Sequence, residues 1–463
     1  MRTAIWWIRR DLRLSDNQAL SVAISQAEQV VPVFVLDPVL WRSPYVGDKR
    51  LAFLLGGLRS LDADLKSRGS YLVLRKDDPV PVLRALCHET GAEVIFAEAD
   101  VSPYARERDA RVSAVLPLQR VGGLLAHPPG TVLKKNGEPY TVYTPFKRTW
   151  RSLPLPQVDD LLPAPDWIKT PADLASLPIL DHPALPACVL FVPGEGVAQQ
   201  RLRAFLAEDV VQYAEDRDRM DLEGTSRLSP YLRFGMLSLQ QALVAVLAAC
   251  DACKGAEAWL NELIWREFYM HILYHFPDVR RESFRESLRE IAWENDPDAF
   301  AAWQEGRTGY PVVDAAMRQM LATGWMHNRA RMVVASFLTK DLLIDWRWGE
   351  RYFMQHLIDG DPASNNGGWQ WSAGTGTDAA PYFRIFNPIL QGKKFDPQGA
   401  YIRRWVPELN KVPDRYIHRP WTMPPEEQKA AHCVIGHAYP SPIVDHAWAR
   451  ERTLAAYKQA KLS

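Results

Sequence analysis

Short runs of apolar, β-branched and aromatic residues at Ala4 to Ile8, Val30 to Leu36, Tyr71 to Arg75 and Glu93 to Ala97 alternate with helical spacing over residues 1–128. That alternation predicts parallel strands joined by crossover helices, hence an α/β domain around a buried, Rossmann-like sheet. Beyond Gly194 the period is helical, with apolar positions three and four apart at Ala198 to Val211, Leu239 to Ala249, Ala256 to His275, Arg329 to Leu343, Trp348 to Ile358 and Trp448 to Lys461. A larger all-α domain is therefore predicted over 195–463. Residues 129–194 carry Pro154, Pro156, Pro163, Pro165, Pro171, Pro178, Pro183 and Pro186 without sustained periodicity, and predict a long ordered connector.

Composition narrows the class. A chain of 463 residues that is 47% hydrophobic can bury more than one core, so disorder is not expected. Lys plus Arg equal Asp plus Glu at 55 each, so a polyanionic partner must be met by a local basic patch. Five cysteines and no secretory opening predict a reduced, cytoplasmic protein, and the apolar runs are too short to span a bilayer. Cys250-Asp251-Ala252-Cys253 has metal-like spacing, yet no second Cys or His pair lies near it, so no metal is expected. Seventeen Trp are harder to place, because Trp is large, stacks on planar groups and is readily oxidised.

Candidate chemistry concentrates in the helical part. The run from Asp359 to Asn387 holds Asp359-Gly360-Asp361, Asn365-Asn366-Gly367-Gly368 and two Trp, a mixture no ordinary core needs. Buried Asp and Asn are costly unless bonded, and paired Gly lets backbone approach a bulky group, so the run predicts one wall of a cofactor pocket. Thr225 to Pro230 sets hydroxyls ahead of a short helix; it serves an anion or simply an N-cap. Trp259, Glu262, Leu263, Arg266 and Tyr269 share one stripe, with Trp265 alongside, too polar for a core and too aromatic for a solvated face. Trp325 to Met332 opens a third such stripe, and convergence on one pocket is more economical than three coincidences. The first loop, Arg9 to Asn17, has no GxGxxG, which disfavours a nicotinamide dinucleotide.

At these residues the chain resembles the photolyase/cryptochrome family, nearly end to end. The segments Trp7 to Leu14, Thr225 to Ser229, Glu262 to Tyr269, Gly309 to Ala315, Trp325 to Met332 and Asp359 to Trp371 stand in the family's order, and the chain is most similar to bacterial class I photolyases for cyclobutane pyrimidine dimers. The resemblance implies FAD held by Tyr213, Thr225, Ser226, Arg227, Leu228, Ser229, Trp259, Arg266, Trp325, Arg331, Asp359, Gly360, Asp361 and Asn365. Arg331 and Asp359 would pair beside the ring. Asn365 would face flavin N5, where plant cryptochromes carry an acid.

Trp265 and Trp371 match the aromatic walls around a flipped dimer, with Glu262, Asn328 and Met332 as its other contacts. Arg217, Arg266, Tyr269, Arg329, Arg384 and Gln391 match DNA-contacting positions. Light-driven electron transfer from FADH⁻ to the dimer, ring cleavage and return of the electron are implied. Extrusion is required because a stacked base is out of reach. A desolvated Glu262 would hold its proton and hydrogen-bond a dimer carbonyl. Trp369, Trp346 and Trp293 match a relay that reduces oxidised flavin.

Arg9, Arg50 and Asp100 are candidate contacts of a second, light-harvesting chromophore. Tyr104-Ala105 stands where folate-binding relatives have Asn-Glu, so 8-hydroxy-5-deazaflavin is expected rather than methenyltetrahydrofolate. A (6-4) photolyase would show a His pair around Met326-His327-Asn328, and a signalling cryptochrome commonly extends past a point like Ser463; both are disfavoured. A non-enzymatic nucleic-acid-binding protein explains the arginines but not the Asp-Gly-Asp pocket. A monomer is expected, with no membrane partner.

Overall fold

β-Branched and aromatic side chains make strands of Thr3–Ile8 (β1), Gln29–Leu36 (β2), Val73–Lys76 (β3), Val94–Glu98 (β4) and Leu118–Val121 (β5). Every residue of β1 and β4 is buried, as a parallel sheet covered on both faces requires. All neighbouring pairs are parallel and the order is β3-β2-β1-β4-β5. The order therefore reverses at β1, which opens a crevice beyond the carboxyl ends of β1 and β4. Helix Gln18–Gln26 between β1 and β2 starts where Asn17 accepts from the Leu20 amide at 3.0 Å. Four strands follow the apolar runs. β5 does not, because its half-exposed Leu-Gln-Arg-Val lacks an apolar run.

The computed structural model describes residues 1–250 and 253–462. They form two compact units: Met1–Ala214 with Thr225–Pro277 and Ile358–Ala363, and Glu215–Gly224 with Asp278–Leu357 and the chain from Ser364 onward. The first unit contains the sheet together with helices Leu239–Cys250 and Lys254–His275. The connector is less irregular than its prolines predict, because Tyr143–Ser152 is a helix with Tyr143, Phe146 and Trp150 buried on one stripe. Farther on it tracks the sheet, with the Val30 amide donating to the Lys169 carbonyl at 2.8 Å and the Leu177 amide to Leu74 at 2.9 Å.

The second unit is helical around a core that includes Trp303, Met317, Met320, Phe337, Trp346, Phe353 and Trp369. The single helices predicted at Ala198 to Val211 and Arg329 to Leu343 each end in a wider turn. Glu195–Ala204 passes into a π-helical turn at Phe205–Asp209, and Asn328–Ser336 into another at Phe337–Asp341. The Val210 and Leu342 amides accordingly reach carbonyls five residues back. Among the described residues, no helix is long and apolar enough to cross a membrane.

Candidate active site

Asp359, Gly360 and Asp361 lie in the first unit and are held by charge. Asp361 pairs with Arg10 at 2.7 Å and lies 3.9 Å from Arg233, whose Nε donates to the Gly360 carbonyl at 2.9 Å. Arg10 also meets Asp100 at 3.6 Å. A side chain at Gly360 would run into the Arg50 guanidinium, so close approach to protein explains this glycine. Burial, together with neighbouring Arg10, pushes Arg233 down to about 9. Of the chromophore candidates, Arg9 pairs with Asp109 at 2.7 Å and lies over Trp7, Arg50 donates to the Tyr45 carbonyl at 3.2 Å, and Asp100 holds Arg10. Tyr104 donates to Asp37.

The N-cap reading of Thr225 to Pro230 is corrected. Helix Ser229–Phe234 has Leu228 at its N-cap and no side-chain cap; Ser229 instead donates its hydroxyl to Asp359 Oδ2 at 2.6 Å. The Asp-Gly-Asp run thus competes successfully for the hydroxyl. Arg227 beside it has φ +51°, a left-handed conformation that costs on the order of 1 kcal/mol for a side chain with a Cβ. Tyr213 and Trp259 are both buried and pack on Phe205, with centroids 5.5 and 5.1 Å away.

Helix Lys254–His275 carries Glu262, Trp265, Arg266 and Tyr269, all half-buried, and Arg266 donates to the Leu124 carbonyl at 3.0 Å. Its opposite side is anchored by two groups the sequence did not single out. Glu267 accepts from Trp150 Nε1 at 2.7 Å and from the Ala126 amide, and His271 meets the His127 carbonyl at 3.1 Å. Burial pushes Glu267 up to about 7 and His271 down to about 4. Glu267 therefore contributes stability that is fully present below its ordinary 4.5 and lost as pH rises through about 7. His271 contributes stability present above its ordinary 6.5 and lost as pH falls through about 4. The two slopes oppose each other between these ordinary values. Glu267→Gln is expected to remove one of them, so the difference in unfolding free energy between wild type and variant should fall by about 3 kcal/mol from acid to neutral pH. Denaturant titrations across that range check it, and a pH-independent difference would refute it.

In the second unit, Trp325 is buried, and His327 caps helix Asn328–Ser336 by accepting from the Arg329 amide at 3.1 Å. Asn328 is exposed and Met332 half-buried, while Arg331 Nε donates to the Met326 carbonyl at 2.9 Å. Arg329 pairs with Asp218 at 2.8 Å and lies over Phe395; Arg217 is half-buried. Arg384 is exposed next to Phe383, which is 61% exposed, and Leu390, 60% exposed, precedes Gln391. Exposed apolar groups beside cations suit a nucleic-acid surface, a signal the sequence reading passed over.

Poor helix formers notwithstanding, Pro362–Ala373 is a helix. Its polar side chains tie it down: Asn365 donates to the Glu350 carbonyl at 2.9 Å, Asn366 to Val279 at 3.0 Å, and Gln370 to Val279 at 2.8 Å. Gly368 is exposed, and an added Cβ would meet no protein atom within 4 Å. Trp369 is buried against Phe353 and Trp303, at 4.9 and 6.0 Å, and its Nε1 has no hydrogen-bond partner among the described residues. Trp371 is half-buried. Trp346 is buried with Nε1 3.4 Å from Ser283 Oγ, and half-buried Trp293 presents an edge to Tyr457 at 6.1 Å.

Asp251 and Ala252 of the Cys-x-x-Cys stretch lie outside the described residues. Cys253 caps a helix by accepting from the Ala256 amide at 3.4 Å, and no metal-holding group of His, Cys, Asp or Glu occurs among the described residues.

Comparison with known proteins adds two family matches, to DNA photolyase over residues 4–166 and to the FAD binding domain of DNA photolyase over residues 259–459. The chain is 42% identical to a deoxyribodipyrimidine photo-lyase of Synechococcus over 99% of its own length and 96% of the relative's. Its fold resembles a bacterial class III photolyase from Agrobacterium tumefaciens, at TM-score 0.94 and 39% identity over 100% and 98% of the two chains. A Synechocystis cryptochrome aligns at TM-score 0.89 and 28% identity, over 98% of this chain and 99% of that one.

Proposed function

The chain belongs to the DNA photolyase/cryptochrome family, and from that premise we propose that it repairs cyclobutane pyrimidine dimers in DNA by light-driven electron transfer, as a lyase. The observation that carries this reading is a likeness at 42% identity to a deoxyribodipyrimidine photo-lyase, spanning 99% of the chain. Reduced FAD, when bound, supplies the electron that opens the cyclobutane ring and receives it back.

The residues present fit that group. Asp359, Asp361, Ser229 and the left-handed Arg227 make a polar, charge-held loop. We assign FAD to these residues and to Tyr213, Thr225, Ser226, Leu228, Trp259, Arg266, Trp325, Arg331, Gly360 and Asn365. Asn365, its amide nitrogen tied to the Glu350 carbonyl, keeps Oδ1 as the acceptor it offers. Trp265 and Trp371 stack on the dimer, Glu262 hydrogen-bonds it, and Asn328 and Met332 complete its contacts. Arg217, Arg329, Arg384 and Gln391 meet the DNA strand, which reconciles binding of a polyanion with zero net charge.

The finer parts of the proposal are a class I specificity, division into 1–128, 129–194 and 195–463, a deazaflavin near Arg9, Arg50 and Asp100, and action as a cytoplasmic monomer. The absence of an Asn-Glu pair at Tyr104-Ala105 supports the deazaflavin. The test is repair of oligothymidine containing a cyclobutane dimer by chemically reduced protein. Dimers should disappear under blue light and persist in the dark; persistence in both would sink the proposal.

A further inference from the structure

We infer that Tyr143 is a positioning residue for Trp265, holding the indole so that one open face is set for a flipped pyrimidine dimer. The inference rests on the repair reading above. The Tyr143 and Trp265 rings lie with centroids 3.7 Å apart and planes 7° from parallel. Phe268 lies near-perpendicular to the same indole, at 5.5 Å and 83°, and Tyr269 is tilted to it at 5.5 Å and 35°. Tyr143 thereby covers one face of Trp265, and no aromatic ring beyond these three contacts it among the described residues. The side chain is only half-buried.

Ring quadrupoles favour offset or edge-to-face pairs over a close face-to-face stack, so ring attraction alone does not set this geometry. The helices do. Tyr143 donates its hydroxyl to the Asn261 carbonyl at 2.9 Å, and Asn261 sits one turn before Trp265 on helix Lys254–His275. In an α-helix that carbonyl also receives the Trp265 amide, so a single tyrosine grips both the ring and the turn that carries it. Tyr143 is placed in its turn by Phe146, packed on Phe268 at 5.2 Å and His271 at 5.1 Å, and by Trp150, bonded to Glu267 at 2.7 Å. Positions 143, 146 and 150 form one helical stripe, so the connector helix acts as a splint along the helix that presents Glu262, Trp265 and Arg266.

An indole locked before binding spares the complex the cost of ordering it, and the gain appears only where the lesion stacks. Tyr143→Leu is therefore expected to raise the dark Kd for dimer-containing oligothymidine on the order of ten-fold, the scale of one aromatic contact. The Kd for the undamaged strand and the flavin content should stay close to wild type. Tyr143→Phe, which keeps the ring but loses the bond to the Asn261 carbonyl, should recover most of the damaged-strand affinity, to within about four-fold of wild type. Adding Tyr143→Leu to Trp265→Leu should then produce no further loss. If Tyr143→Leu does not accumulate folded, Tyr143→Met, of similar volume, takes its place.

Unchanged damaged-strand affinity, an equal loss on both strands, or additive losses in the double variant would each overturn the inference. Wild-type repair in light is measured alongside. If wild type repairs and Tyr143→Leu binds normally, the positioning role alone fails; if wild type does not repair, the parent reading fails.

Discussion

Trp369→Phe is expected to cut photoreduction of oxidised flavin on the order of a hundred-fold, as an uphill first hop of ~3 kcal/mol would, while reduced protein still repairs dimers. Trp369 is 2% exposed, and its N–H lacks a partner among the described residues. Gly349, one turn into the helix that Trp346 begins, leaves room for the Trp369 ring against that helix backbone; a Cβ there would strike the indole. Trp346 is 1% exposed and Trp293 half-buried, and all three belong to one unit and one apolar cluster. Phenylalanine preserves the packing but is far harder to oxidise.

Trp303 supplies the control. It lies 6.0 Å from Trp369, is fully buried and donates to the Val334 carbonyl at 3.1 Å. Trp303→Phe should leave photoreduction near wild type. Transient absorption under blue light reads both variants. A block by Trp303→Phe with none by Trp369→Phe would reassign the relay.

The second large effect concerns stability. Asp314→Ala is expected to destabilise the helical unit by about 4 kcal/mol, the scale of a broken buried polar network. Asp314 is fully buried and accepts four hydrogen bonds: Thr308 amide and hydroxyl at 2.7 Å each, the Gly309 amide at 3.1 Å and the Tyr439 hydroxyl at 2.5 Å. Truncation strands all four donors away from water. Gly309 cannot substitute a side chain in compensation, since at φ +78° a Cβ would meet the Ser441 backbone. Denaturant unfolding measures the loss; a change under about 1 kcal/mol, the net worth of one ordinary hydrogen bond, would refute it. The Gly309 to Ala315 signature, which the sequence grouped with family hallmarks, thus serves architecture rather than chemistry.

What could be read ahead of the fold followed local rules. Four strands were legible because parallel strands buried on both faces must be apolar throughout, and long helices because 3.6-residue periodicity marks a buried stripe. β5 was not, because a half-exposed strand needs no apolar run. The Tyr143–Ser152 helix was obscured by its Pro-rich surroundings, although Tyr143, Phe146 and Trp150 already stood three and four apart. Helix Pro362–Ala373 defied propensity, since Asn366 and Gln370 bind carbonyls of a segment about ninety positions earlier.

The sequence by itself determined the two fold classes and, through family resemblance, which residues are proposed for flavin and lesion. Only the tertiary structure decided which of several like residues does what. Asp359 takes a serine hydroxyl while Asp361 takes an arginine 351 positions away; Trp265 stacks on a tyrosine while Trp303 is sealed in the core. The physical reason is that periodicity encodes which face of an element is buried, whereas a partner is fixed by packing between elements distant in the chain.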